Sequence, residues 1–338
     1  MKKKIRVGVI GTGRIGRLHT EHLAFRIPEA SVVAVSDVVR AAAEKCAADF
    51  NVPSVAADYR TLLDNPGIDA IVICSSTDTH AQMIAEAAGR GKHVFCEKPI
   101  SHDLAAIDRA LEAVRRAGIK LQIGFNRRFD SNYRRVWELI REGRLGDPHI
   151  LRITSRDPAP PPIDYVRVSG GIFLDMMIHD FDMARYLIGS EVEEVYTMAA
   201  VRIDPAIGRA GDFDTAVVAL KFENGVLGTI DNSRKAVFGY DQRVEVFGSK
   251  GMAQTANNTP NTARFSGADA VSEDLPLNFF MERYIDSYVR EMREFIRCVS
   301  EDLQPPVTGL DGRMPVLIGK AARLSHDQHR PVKVSEIK

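Results

Sequence analysis

The chain has 338 residues, 45% hydrophobic and 27% charged, and its 45 Lys and Arg balance 45 Asp and Glu. That apolar content excludes a disordered chain, and zero net charge leaves no basic field to hold nucleic acid or an anionic membrane. The length fits about two domains. No apolar run approaches the about 20 residues of a membrane-spanning helix.

The start, Met1-Lys2-Lys3-Lys4, is basic, but the apolar stretch after it runs only from Val7 to Ile10 and is broken by Gly8. Export is therefore not expected. The four cysteines, Cys46, Cys74, Cys96 and Cys298, show no C-x-x-C spacing, so neither a disulfide framework nor a zinc site is expected. That usage suits a reducing cytoplasm.

Ile5–Ile10 reads as a strand, followed by Val32–Asp37, Ala70–Cys74, His93–Cys96 and Leu121–Gly124. Between them lie Ala-rich helical segments at Ala41–Phe50, Thr79–Gly89 and Leu104–Ala117. Alternating strands and helices predict βαβ units around a doubly wound parallel sheet, an α/β domain over residues 1–125.

The rhythm changes after Gly146, and residues 126–338 read as a second, α+β domain. The run Asp157-Pro158-Ala159-Pro160-Pro161-Pro162 predicts a stiff loop, because proline has no N–H to give. After Gly170-Gly171 a helix is predicted from Phe173 to Leu187. Two hairpins follow: Val217–Phe222 with Val226–Ile230 around Asn224-Gly225, and Val244–Phe247 with Met252–Thr255. This half predicts a large, mostly antiparallel sheet with helices on one face. The last predicted helices are Tyr284–Val299 and Arg313–Leu324, and the last residues are allowed to pack back on the first domain.

Gly11-Thr12-Gly13-Arg14-Ile15-Gly16 is G-x-G-x-x-G. It follows a strand and opens a helix, and Asp37 ends the next strand 21 residues after Gly16. Gly11 allows the tight turn, Gly13 the approach of a pyrophosphate and Gly16 the packing of helix on strand. Asp37 is placed to accept ribose hydroxyls and to repel a 2′-phosphate. The expected cofactor is thus NAD rather than NADP, with Arg40 nearby as the one feature on the other side. Ser75, Ser76, Thr77 and His80 follow the strand at Ala70–Cys74, where ligands of open α/β sheets bind. They either line the nicotinamide side or serve, through Thr77 or Asp78, as the cap of the following helix.

Glu97-Lys98-Pro99, directly after a strand, resembles a signature of the glucose-fructose oxidoreductase and inositol dehydrogenase (Gfo/Idh/MocA) family. The resemblance extends over nearly the whole chain. Ile123-Gly124-Phe125-Asn126-Arg127-Arg128-Phe129-Asp130 is similar to the motif after the sixth strand. Ser155-Arg156-Asp157-Pro158 and the segment from Gly170 to Asp182 resemble the inositol 2-dehydrogenase branch in particular. The resemblance implies a Rossmann domain followed by an open-sheet domain. It also implies an often cis Lys-Pro bond that aims Lys98 into the site, and a homotetramer joined through the outer sheet face. The implied activity is NAD-dependent oxidation of a cyclic polyol, foremost myo-inositol to its 2-keto product. A related sugar or scyllo-inositol dehydrogenase, or a non-catalytic NAD-binding regulator, are the alternatives.

Asp175, His179 and Asp182 follow at helical spacing on the predicted helix and would share one face. Oxidising a secondary alcohol needs a base for the hydroxyl proton, and histidine suits it. The resemblance puts His179 as base, Asp175 as its partner or a substrate ligand, and Lys98 as the charge that stabilises alkoxide or relays the proton. It adds Asn126, Arg127, Asp157, Tyr240 and Tyr284 as substrate ligands, and Glu97 beside Lys98 at the cofactor. Of the two arginines in an extended segment, Arg127 is expected to face inward and Arg128 solvent. No further ligand cluster accompanies Asp175 and His179, so no metal is expected. Trp137 reads as core.

Overall fold

The computed structural model describes residues 4–338; Met1, Lys2 and Lys3 of the basic start lie outside the described residues. The chain divides into two compact units. The first runs to Asn126 and takes in Asp286–Met314, and the second is Arg127–Ile285 with Pro315–Lys338.

In the first unit, β1 (Ile5–Ile10), β2 (Ala30–Ser36), β3 (Val55–Ala56), β4 (Ala70–Ile73), β5 (His93–Glu97) and β6 (Leu121–Gly124) form one sheet. Its order is β3-β2-β1-β4-β5-β6, and every pair is parallel. Both faces are covered by helices, which is why β4 is buried at all its residues. The order reverses between β1 and β4, so their carboxyl ends open on a crevice where such sheets bind ligands. Gly11 and Ser75, the residues expected at a cofactor, follow those two ends.

The core of this unit joins Val7, Val9, Val72 and Phe95 of the sheet to Leu23 and Ile27, and to Met292, Phe295 and Ile296 of the helix Ile285–Ser300. That helix, far along the chain, is amphipathic, and its apolar stripe closes the core. The segment that joins the first unit is therefore Asp286–Met314 rather than the chain end. The final residues stay in the second unit.

In the second unit, β7 (Pro148–Arg156), β8 (Val192–Ala200), β9 (Thr215–Phe222), β10 (Leu227–Ser233), β11 (Asp241–Gly248) and β12 (Gly251–Gln254) lie in one sheet. The sheet order is β12-β11-β7-β10-β9-β8, completed by a strand at Val332–Lys333. Only β7 and β10 run parallel; the other pairs are antiparallel. Both expected hairpins form, and Gly225 takes the positive φ of 88° that its turn requires. Along β9 buried and exposed residues alternate, so one face of the sheet lies against the core and the other is bare.

The predicted helix from Phe173 breaks into two pieces. Ile172–Met176 is a wide π-helical turn and Ile178–Ile188 is α-helical. Gly171, with φ 76°, starts the wide turn, and the Asp212 carboxylate takes the Ile172 N–H at 2.9 Å. Such turns recur at functional sites. One consequence is that Asp175, His179 and Asp182 do not sit on a single α-helical face.

Candidate active site

The glycine loop has the shape a dinucleotide needs. Gly11 has φ 87°, and a Cβ there would meet the Cys74 carbonyl carbon and oxygen at 2.6 Å. A Cβ on Gly16 would collide with the Gly11 carbonyl oxygen. Gly13, by contrast, faces open space and caps the helix Arg14–Phe25 with no side-chain cap bond. The first-turn N–H groups and the open approach fit a pyrophosphate. Thr12 is buried and Arg14 exposed. Asp37 is bound into the loop: Oδ2 accepts from Thr12 N at 2.6 Å and Thr12 Oγ1 at 3.0 Å, and Oδ1 from Val39 N at 2.8 Å. Arg40 turns to Glu44, at 2.7 Å, on its own helix. The residues present thus fit NAD, which would lie over Gly11–Gly16 with its ribose at Asp37.

The helix after β4 begins at Thr77, two residues earlier than predicted, and its cap is Ser76 with no side-chain cap bond. Capping by Thr77 or Asp78 is therefore not what these hydroxyls do. Ser75 Oγ is 2.7 Å from Thr79 Oγ1, which donates to the Ser76 carbonyl. His80 is buried; its Nδ1 lies 2.8 Å from the Pro99 carbonyl oxygen and its Nε2 3.0 Å from that of Ser75. Burial lowers its pKa, with those two carbonyls pulling the other way. His80 thus ties the loop after β4 to the loop after β5.

The Lys98-Pro99 peptide is cis and Lys98 is half-buried. Glu97 faces inward: its Oε1 lies 2.7 Å from His19 Nε2, and its carboxylate fills the space that a Cβ on Gly124 would take. Glu291 brings its carboxylate to the same place, so that His19, Glu97 and Glu291 set one metal-competent atom each within 4.8 Å of one another. Glu97 is thus engaged with His19. Asn126 is buried, and its Nδ2 has no acceptor among the described residues, so that it is available to a ligand or a water.

The segment Asn126–Phe129, where the first unit gives way to the second, is a 3₁₀ turn, not extended chain. Arg127 and Arg128 therefore both point inward, which corrects the expectation that Arg128 faces solvent. Arg127 Nη1 donates to Asp180 Oδ1 at 2.6 Å. Arg128 forms a fork on Asp182, with Nη2 to Oδ1 at 2.6 Å and Nε to Oδ2 at 2.9 Å. Asp182, read above as sharing a face with His179, is spent on that buried pair. Arg127 also reaches Tyr240 Oη at 3.4 Å. Tyr240 and Tyr284 meet edge to face with centroids 6.0 Å apart, and Tyr284 Oη is 3.2 Å from Tyr133 Oη. All three phenols are buried, which raises their pKa values and keeps them protonated.

Asp175 and His179 are half-buried. Asp175 Oδ1 accepts from Tyr165 Oη at 2.9 Å, and Oδ2 faces Arg234 Nη1 at 3.3 Å. Arg234 Nη2 also lies 3.5 Å from Asp212 Oδ2. Asp157 faces the same cluster; burial pushes its pKa up to about 6, against the pull of Arg234 and with the push of Asp175. Arg234, Asp212 and Tyr165 escaped the sequence reading. Arg234 stands next to Lys235 at a strand end, with no spacing to mark it. Trp137, read as core, is half-buried and stacks on Tyr186 with rings 6° from parallel.

Residues 5–125 match the oxidoreductase family described by its NAD-binding Rossmann fold, and residues 133–254 match the GFO/IDH/MocA C-terminal domain. The chain is 50% identical over 333 residues to the myo-inositol 2-dehydrogenase of Thermotoga maritima, covering 98% of this chain and 99% of that one. A crystal structure of a probable dehydrogenase from Thermotoga maritima superposes with a TM-score of 0.97 at 49% identity, covering 99% and 100% of the two chains. The scyllo-inositol dehydrogenase of Lactobacillus casei, with bound NAD(H) and scyllo-inositol, superposes with a TM-score of 0.92 at 30% identity, covering 98% and 100%. The chain belongs to the GFO/IDH/MocA family of NAD-binding oxidoreductases.

Proposed function

We propose that this member of the GFO/IDH/MocA family oxidises a secondary hydroxyl of a cyclic polyol with NAD, myo-inositol to its 2-keto product foremost. The observation that carries the reading is the cluster of Asp157, Asp175 and Arg234, in one chain with a glycine loop that fits NAD. A ring of hydroxyls is recognised by several fixed polar groups, each costly to leave unpaired. Asp157 and Asp175 of the second unit and Asn126 of the first supply such groups, and Arg127, Tyr240 and Tyr284 are buried polar residues of the second unit.

NAD, when bound, takes the hydride from the carbinol carbon. His179 takes the hydroxyl proton on an imidazole nitrogen as general base. Asp175 accepts a substrate hydroxyl and favours the imidazolium that forms. Lys98 stabilises the developing alkoxide with its charge. Gly11, Gly13 and Gly16, with Thr12, Arg14 and Ile15, form the pyrophosphate loop; Asp37 holds the ribose; Ser75, Ser76 and Thr77 line the nicotinamide side. His80 and Glu97 position the loops after β4 and β5. The test is initial rates with NAD and NADP across a panel of inositols and monosaccharides. Myo-inositol with NAD should give the highest kcat/KM; a preference for scyllo-inositol or a monosaccharide would move the assignment to that substrate.

The working form in this reading is a homotetramer in the cytoplasm, engaged in inositol breakdown. On the bare sheet face Met252, Phe247, Ile150 and Leu227 stand in register across four strands, and all four are exposed. An apolar row of that kind is ordinarily covered by a partner. A monomer by light scattering at micromolar concentration would contradict this assembly.

A further inference from the structure

Arg234 is the largest fully buried side chain among the described residues, 1% exposed. It follows β10 directly, and its backbone N–H is fixed to the Asp214 carbonyl at 2.8 Å. Its guanidinium reaches two carboxylates from separate elements. Nη1 faces Asp175 Oδ2 at 3.3 Å, in the π-helical turn, and Nη2 faces Asp212 Oδ2 at 3.5 Å. Asp212 in turn holds the first N–H of that turn through Oδ1, in space that a Cβ on Gly171 would fill at 2.6 Å. Arg234 therefore acts on Asp175 directly and on its backbone through Asp212. From the other side Tyr165 Oη donates to Asp175 Oδ1 at 2.9 Å. Asp157 lies in the field of the same guanidinium, with Asp175, Arg127 and Asp180 also acting on it.

We propose that Arg234 is a positioning residue for polyol recognition: held by Asp212, it fixes the carboxylate of Asp175 against Tyr165. The inference rests on the reading of Asp175 as a substrate ligand. A guanidinium can hold two carboxylates in fixed directions at once, whereas an ammonium offers a point charge. A carboxylate loosened by even one ångström loses much of its orienting effect.

The test compares Arg234→Lys, Arg234→Gln, Asp212→Asn and Tyr165→Phe with Asp175→Asn in the full chain. Tyr165 is 48% exposed, so its hydroxyl can be removed without opening the core. Readouts are myo-inositol affinity by calorimetry, KM and kcat, NAD affinity by fluorescence, and thermal unfolding. Arg234→Lys should weaken myo-inositol binding and raise KM about tenfold or more, with NAD affinity unchanged within about twofold. Arg234→Gln should weaken binding further and move the pH dependence of KM. Tyr165→Phe should raise KM by less, and combined with Arg234→Lys the two effects should not multiply, because they act on one carboxylate. Normal myo-inositol affinity and KM in Arg234→Lys, while Asp175→Asn impairs both, overturns the proposal. If the Arg234 variants do not fold, normal values in both Asp212→Asn and Tyr165→Phe overturn it equally. Unchanged binding in Asp175→Asn itself would instead overturn the substrate-site reading on which the proposal stands.

Discussion

Arg127 Nη1 meets Asp180 Oδ1 at 2.6 Å, with both side chains buried. Asn232 Nδ2 donates to the other carboxylate oxygen at 2.9 Å, so the aspartate is fully engaged. A buried pair of this kind is costly to break from one side, because the remaining charge loses its compensation. Arg127→Met should destabilise the protein by about 3–5 kcal/mol in urea unfolding. Adding Asp180→Leu should recover part of that loss. A variant Arg127→Met with unchanged stability but a raised KM would make Arg127 a direct substrate ligand instead.

The nucleotide half of the molecule was legible because its signals are local. Gly11 and Gly16 meet a backbone requirement, Gly13 leaves open space between them, and Asp37 falls at a fixed distance behind them. The second unit was legible in its hairpins but not in its site. Whether Arg127 and Arg128 share a direction depends on a 3₁₀ turn that no periodicity announces. The wide turn at Ile172–Met176 depends on Asp212, 40 residues away. Arg234 gathers its partners from three separate segments, and nothing in its own neighbourhood of the sequence points to them. The bond of Glu97 to His19, 78 residues away, is likewise announced by nothing local.

Asp37 does two jobs in this geometry. It pins Thr12 N at 2.6 Å, and in the proposed reading it repels a 2′-phosphate. Asp37→Ser should therefore narrow the preference for NAD over NADP and also weaken NAD binding, since the loop loses its anchor. Dissociation constants of both dinucleotides check this. An unchanged ratio would remove Asp37 from cofactor choice.

Asp157 stores a conflict between folding and function. Its folded pKa of about 6 exceeds the ordinary carboxyl value of about 3.9. Between those values the folded state holds a proton that the unfolded state has lost, so stability falls as pH rises through that window and the full cost stands above it. Asp157→Asn should gain about 1–3 kcal/mol relative to wild type at pH 8 and little at pH 4, while losing affinity for myo-inositol. Urea titrations of both proteins across that range decide it; an equal gain at both pH values would exclude Asp157 ionisation as the cause.

His179 carries the proton in the proposed reaction. His179→Ala should lower kcat by about 100-fold or more, with NAD affinity little changed. In wild type, log kcat/KM should rise with pH and level off above the pKa of the base, and that rise should disappear in the variant. A variant with near-normal turnover and an unaltered profile would pass the role of base to another group, Lys98 first.

The most direct measurement follows the hydrogen itself. With myo-inositol deuterated at C2, NAD reduction should slow with a primary isotope effect in single turnover. Proton NMR of the product should then show one deuterium at C4 of the nicotinamide and a keto group at C2 of the ring. Reduction without deuterium on the nicotinamide, or no reduction by any inositol, would contradict direct hydride transfer from this substrate.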